Sequence, residues 1–506
     1  MIPPPLPLPA RGRGFIESRP QRLAALIFYE YANSMSHAST IFALSSGPGR
    51  AGIAVIRVSG PAAREVVARM AAPLGKPREA TFRTIRHPKT GEALDKAVVI
   101  FFESLRSETG EDVAELQVHG GRAVVKAVLE AVALIPGCRP AEAGEFARRA
   151  FENGKLDLAE VEGLADLVDA ETEAQRRQAL AQAGGALSKL YEGWRQNLIE
   201  ISALTEAAID FSDEADVSDK AFAQARERGG PLIAAIRHHL DDGHRGEILR
   251  DGFRVALLGA PNAGKSSLLN ALAKREAAIV SEEAGTTRDV IEVRLDLGGL
   301  PVIVSDTAGI RESDGAIERE GIKRSLATAR AADLVLWLSE PGAADEVIPV
   351  DISRETLLRV ATKVDHTSPS PLGERVGVRG HLFEALSNSP LIRPSGTFSP
   401  RGEGKALSIS TKTGAGLEDL IARITDAARE RIGSDGEEPA ITQVRHRHLL
   451  ETCASSLDMF LSGDATDTEL RAEDLRQAAH ALGRITGRVD VEDILGQIFS
   501  RFCIGK

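Results

Sequence analysis

Between residues 40 and 150, apolar and polar positions change over short runs. They predict strands at Gly52–Val58 and Ala97–Phe102 and a helix at Ala62–Met70, a mixed α/β domain. From 153 the spacing becomes helical: Leu164, Leu167 and Val168 recur on one face, as do Leu198, Ile201, Leu204 and Ala208. Ala, Leu, Glu and Gln dominate this stretch and proline is absent until Pro231, so long helices are expected. From 252 strands and helices alternate, as in a parallel sheet, and after about 430 helical spacing returns through Lys506. The expected architecture is multidomain α/β plus α. Residues 35–152 form an N-terminal domain, 153–250 and 432–506 a long-helix domain, and 251–431 an α/β domain inserted into it. Within the insert, 367–404 is rich in Ser, Pro, Gly and Arg without periodicity and is expected to be disordered. Residues 1–34, with Pro3, Pro4, Pro5, Pro7 and Pro9, fit a signal peptide poorly and read as a disordered extension or a mis-set start.

At 506 residues the chain has room for about three domains. Its 43% apolar and 27% charged content excludes wholesale disorder. Apolar runs such as Leu334–Leu338 are too short to span a bilayer, so no membrane association is expected. A formal charge of −11 is the wrong sign for a surface that neutralises a phosphate backbone along its length. Any nucleic-acid contact must be local or shared with a partner. Cys138, Cys453 and Cys503 are too few and too scattered for a disulfide framework or a zinc site, which points to a reducing cytoplasm.

The chemistry lies in the insert. The apolar run Phe253–Leu258 leads into Gly259-Ala260-Pro261-Asn262-Ala263-Gly264-Lys265-Ser266, a phosphate-binding loop in the required strand–loop–helix setting, with the helix expected over Ser267–Leu272. Its backbone N–H groups, running from Asn262 to Ser267, would cradle phosphates. Lys265 would neutralise the β and γ oxygens, and Ser266 would offer its hydroxyl to Mg²⁺. A second strand, Leu300–Ser305, ends in Asp306-Thr307-Ala308-Gly309, where Asp306 can hold Mg²⁺ through water and the Gly309 N–H can meet a γ-phosphate. Between them, Gly285-Thr286-Thr287-Arg288-Asp289 places Thr287 to complete the Mg²⁺ shell. Thr362-Lys363-Val364-Asp365 supplies a carboxylate for the two guanine N–H donors, and Ser410-Thr411-Lys412 closes the base pocket. Together these boxes describe a GTPase. Thr362 replaces the usual asparagine, whose amide can bridge base and phosphate loop, so looser binding is expected with guanine selectivity kept by Asp365. Ile310 stands where a Ras-like enzyme carries the water-orienting glutamine, so hydrolysis needs another residue.

Outside the insert, several further stretches are distinctive: Ile56-Arg57-Val58-Ser59-Gly60, Gly110-Glu111-Asp112-Val113-Ala114-Glu115-Leu116, His119-Gly120-Gly121, Gly144-Glu145-Phe146 and Asn153-Gly154-Lys155-Leu156-Asp157-Leu158. The terminus Phe502-Cys503-Ile504-Gly505-Lys506 is the most specific. With Asn262 and Ile317-Glu318-Arg319-Glu320-Gly321-Ile322, these resemble the potassium-dependent tRNA modification GTPases called MnmE or TrmE, from about Met35 to Lys506 except 367–404. The resemblance implies a Ras-like G domain that dimerises across its nucleotides when K⁺ binds. Asn262 would coordinate K⁺ together with Ser281, Glu283 and Thr286, and the nucleotide would also meet Glu282, Ala284, Gly285 and Thr287. The ion would supply the charge of an arginine finger, and Glu318 would orient the hydrolytic water.

The same resemblance implies an N-terminal domain that forms a homodimer and binds a one-carbon tetrahydrofolate (5-formyl or methylene) through Arg57, Glu115, Lys155 and Lys506, with Cys503 near the modification site. It further implies that, with the FAD-dependent partner MnmG in a heterotetramer, carbon 5 of the tRNA wobble uridine receives a carboxymethylaminomethyl or aminomethyl group. A ribosome-assembly GTPase of the Era or EngA kind is the alternative. Era should end in a basic RNA-binding domain and EngA should repeat the G domain, and the chain has neither.

Overall fold

The computed structural model describes residues 39–211, 213, 215–260, 262–275, 277–279, 291–306, 327–341, 356–366, 407–433, 439–464, 467–489, 491–500, 502, 504 and 505. The predicted extension at 1–34 and the predicted insertion at 367–404 lie outside them. Two compact units result, one from the start to Val161 plus Val491–Lys506, the other Glu162–Asp490.

The first unit is built on a six-stranded sheet: β1 (Thr40–Leu44), β2 (Ala51–Ser59), β3 (Thr81–Arg86), β4 (Ala93–Phe102), β5 (Val113–Gly120) and β6 (Cys138–Pro140), in the order β3-β4-β5-β2-β1-β6. All pairs are antiparallel except β1–β6. Alternation along β2 sends Ile56 and Val58 into the core, against Val66, Val67 and Met70 of the helix Ala63–Met70. The other face of β2 carries Arg57, directly opposite Glu115 on β5.

The chain terminus folds into this same unit. The helix Glu492–Phe499 presents Phe499 to Phe151 and Phe502, with ring centroids 6.5 and 6.2 Å away. Ile504 bridges Ala143, and the Gly505 carbonyl accepts from Ser45 Oγ at 2.8 Å. Gly505 has φ +108°, and a Cβ there would stand 2.2 Å from the Leu44 carbonyl oxygen, so the terminal motif needs glycine to dock.

In the second unit, the helices Ala186–Asp210, Ala215–Leu240, Val444–Ser462 and Thr468–Thr486 each pack on two others around Tyr191, Leu198, Ile201, Ile236, Leu457 and Phe460. The second of these runs through Pro231. Between the second and third, the chain forms a seven-stranded sheet: β7 (Phe253–Gly259), β8 (Ala278–Ile279), β9 (Ile291–Leu297), β10 (Leu300–Asp306), β11 (Leu334–Ser339), β12 (Leu357–Ala361) and β13 (Leu407–Ser408), ordered β13-β12-β11-β7-β10-β9-β8. β7 and β10 to β13 run parallel, and β8 and β9 complete an antiparallel edge. This is the inserted Ras-like α/β layer. The buried run Val255–Leu258 explains why β7 reads as continuously apolar.

A polar junction joins the helices to this sheet. The helix Glu173–Ala183 starts in a capping box of Thr172 and Gln175, and Ala174 N–H donates to the Gly299 carbonyl between β9 and β10 at 3.1 Å. Arg250 meets Asp166 at 2.8 Å, and Arg294 meets Glu171 at 3.0 Å. Among the described residues no helix is long and apolar enough to cross a membrane.

Candidate active site

The C-terminal ends of β7, β10, β12 and β13 converge on one set of polar residues, the edge at which parallel α/β sheets bind ligands. At the end of β7, Gly259 has φ +140°, and a Cβ there would come 2.1 Å from the Leu338 carbonyl oxygen on β11. Only glycine lets the two strands stay paired as the chain turns into the phosphate loop. Asn262 and Gly264 both take positive φ, 64° and 94°, and the helix Lys265–Ala273 begins with no side-chain cap. Its first turn therefore presents backbone N–H groups and the positive end of the helix dipole to the loop, which suits a phosphate.

Lys265 is buried, and its ammonium donates to the carbonyls of Gly259 and Ala260 at 2.7 and 2.8 Å. Ser266 Oγ donates to Oδ2 of the buried Asp306 at 2.6 Å. A hydroxyl and a carboxylate in contact form a hard-oxygen donor set that fits Mg²⁺. Just past the ends of β12 and β13, Ser410 Oγ donates to Asp365 Oδ1 at 2.8 Å, fixing the carboxylate expected to read guanine, and the Thr413 N–H donates to Ser410 Oγ at 3.2 Å. Lys363 pairs with Glu340. The expected cost of Thr362 is met in part, because its hydroxyl donates to the Ala263 carbonyl at 2.7 Å and still ties the base loop to the phosphate loop.

Glu318, Ser281, Glu282, Glu283, Ala284, Gly285, Thr286, Thr287, Thr307, Ala308, Gly309, Lys506 and Cys503 lie outside the described residues.

In the first unit, Arg57 donates to Glu115 Oε1 through Nε and Nη2 at 3.3 and 3.2 Å, pairs with Glu108 at 2.8 Å, and lies over the Phe146 ring at 5.8 Å. Lys155 donates to the Leu105 carbonyl, on the same loop as Glu108. One loop thus touches two of the four residues singled out for folate, Arg57 and Lys155, and Arg57 in turn holds Glu115. Arg57 already balances two carboxylates, so it fits the role of holding Glu115 better than that of a bare anion anchor.

Several contributors were not legible beforehand. Arg149, almost fully buried, bridges Glu111 at 3.0 Å and Glu145 at 3.1 Å, which gives two of the distinctive sequence stretches a structural role. Its helical spacing from Glu145 was the only available signal. Burial raises the Cys138 thiol to about 11, with help from Glu65, and the Cys453 thiol to about 12, so neither is a ready nucleophile.

The comparisons with known proteins agree along nearly the whole chain. The family model for the GTP-binding protein TrmE N-terminus matches residues 40–155, and that for the MnmE helical domain matches 158–503. The tRNA modification GTPase MnmE of Parvibaculum lavamentivorans is 52% identical over 473 residues, covering 92% of this chain and 100% of that protein. The chain belongs to the MnmE family of tRNA modification GTPases. Another MnmE, from Rhodospirillum rubrum, is 50% identical over 92% of this chain and 99% of its own length. Among solved structures, the G domain of the T. maritima FeoB iron transporter aligns at 22% identity over 35% of this chain and 98% of that one, with a TM-score of only 0.21.

Proposed function

We propose that this protein is a potassium-dependent GTPase that acts in the cytoplasm as a homodimer with the FAD-dependent partner MnmG. Together they would add a carboxymethylaminomethyl or aminomethyl group to carbon 5 of the tRNA wobble uridine, using a one-carbon tetrahydrofolate. The observation that carries the reading is the convergence of Lys265, the Ser266–Asp306 pair and the Ser410–Asp365 pair at one sheet edge, in a chain of this family. Lys265 would bind the β and γ oxygens, and Ser266, Asp306 and Thr287 would hold Mg²⁺. Asp365 would take the guanine N–H donors, with Lys363, Thr411 and Lys412 enclosing the base. Asn262, Ser281, Glu283 and Thr286 would hold K⁺, which would supply the positive charge that an arginine finger gives elsewhere. Glu318 would orient the attacking water. In the first unit Glu115, held by Arg57, would accept from the pterin edge of the folate, with Lys155 and Lys506 near its carboxylates.

Two measurements test this. Glu318→Ala is expected to bind GTP nearly normally while hydrolysis falls about a hundredfold or more; unchanged turnover would remove Glu318 from the mechanism. In a strain lacking the gene, mass spectrometry of tRNA nucleosides is expected to show loss of the wobble-uridine modification, restored by the wild-type gene and not by Glu318→Ala. An unaltered nucleoside profile would refute the tRNA assignment.

A further inference from the structure

Thr362 is 2% exposed, and its hydroxyl donates to the Ala263 carbonyl at 2.7 Å, with the Ser339 carbonyl the next acceptor at 3.4 Å. Its backbone N–H is committed as well, to the Ser339 carbonyl at 2.9 Å. A threonine hydroxyl carries one donor hydrogen, whereas an asparagine amide carries two. Guanine presents N–H donors on the edge assigned to Asp365, and the acceptors O6 and N7 on its other edge. An asparagine at 362 could give one N–H to Ala263 and a second to a base acceptor. With threonine, the single hydrogen is taken by the phosphate loop.

We propose that this GTPase does not read the purine N7: residue 362 locks the base loop to the phosphate loop, and guanine selectivity rests on Asp365 as oriented by Ser410. The inference depends on the GTP-binding reading above. Thr362 is thus a positioning residue, and the site should tolerate purine nucleotides altered at N7 that an asparagine-bearing site would bind less tightly.

The test is competition of GTP, 7-deaza-GTP and ATP against a fluorescent GDP analogue on the full-length protein. GTP and 7-deaza-GTP are expected to displace it equally within about twofold, with ATP at least about a hundredfold weaker. Thr362→Asn should create a preference for GTP over 7-deaza-GTP of about five- to tenfold. A loss of fivefold or more with 7-deaza-GTP on the wild-type protein would overturn the proposal, as would an unchanged ratio in Thr362→Asn. Equal binding of GTP and ATP would instead overturn the guanine-site reading beneath it. The wild-type comparison decides the matter even if the variant does not fold.

Discussion

Glu162→Ala is expected to lower the stability of the helical core by about 3–5 kcal/mol, because it takes the carboxylate from a fully buried histidine and a partly buried guanidinium. Glu162 accepts from His446 Nε2 at 2.7 Å and from Arg445 at 2.9 Å, and His446 is fully buried. Arg445 also donates to the carbonyls of Arg484 and Ile485, at 2.9 and 3.1 Å, in the last turn of the helix Thr468–Thr486. One carboxylate therefore compensates a guanidinium that caps a second helix, and its loss unmakes both contacts. Calorimetry should show the unfolding transition about 10 °C lower; a shift under about 2 °C would show that the cluster is not needed.

The same cluster sets an acid limit. Burial alone would raise the Glu162 carboxyl, but His446 and Arg445 outweigh it and hold it at about 2, against an ordinary value of 4.5. Between those values the unfolded chain takes up a proton that the native one does not. The contribution of Glu162 is therefore complete above about pH 4.5 and declines as the pH falls toward 2. Glu162→Ala should flatten that part of the stability profile.

The second large effect is expected on specificity. Asp365→Asn replaces two acceptor oxygens by one acceptor and one donor, which suits the N–H and C2 carbonyl of xanthine and opposes the guanine amine. With Ser410 Oγ bonded to Asp365 Oδ1 at 2.8 Å, the side chain is held and cannot swing away to relieve the mismatch. GTP affinity should fall at least about a hundredfold, with XTP becoming the better ligand. Titration with both nucleotides checks this. GTP affinity retained within about threefold would mean that Asp365 does not read the base.

Local features of the chain were sufficient to place the candidate nucleotide site. The strand–loop–helix rule located Gly259 to Ser266 because a phosphate loop is contiguous, and its conformational demands fall on residues a few positions apart. The parallel sheet was legible for a similar reason: strands buried on both faces, such as Val255–Leu258 and Leu334–Leu338, read as unbroken apolar runs. Helix and strand limits differed from expectation by only a few residues, as at Ala93–Phe102, whose exposed first residues hid the strand's true start.

Pairings between distant residues were not legible. Arg445 and Glu162 are separated by 283 residues, Thr362 and Ala263 by 99, and Ser45 and Gly505 by 460. A charged or hydroxyl side chain announces its capacity to bond but not its partner. That choice is made when the chain closes on itself, and burial then requires each polar group to be matched. The local chemistry of this protein, its phosphate-loop motif, the carboxylate proposed to read the base and its helical periodicity, was set by neighbours along the chain. Only the tertiary fold decided that Thr362 would bond the phosphate loop, that Arg57 would hold Glu115 between two strands, and that the last residues would pack beside the first strand.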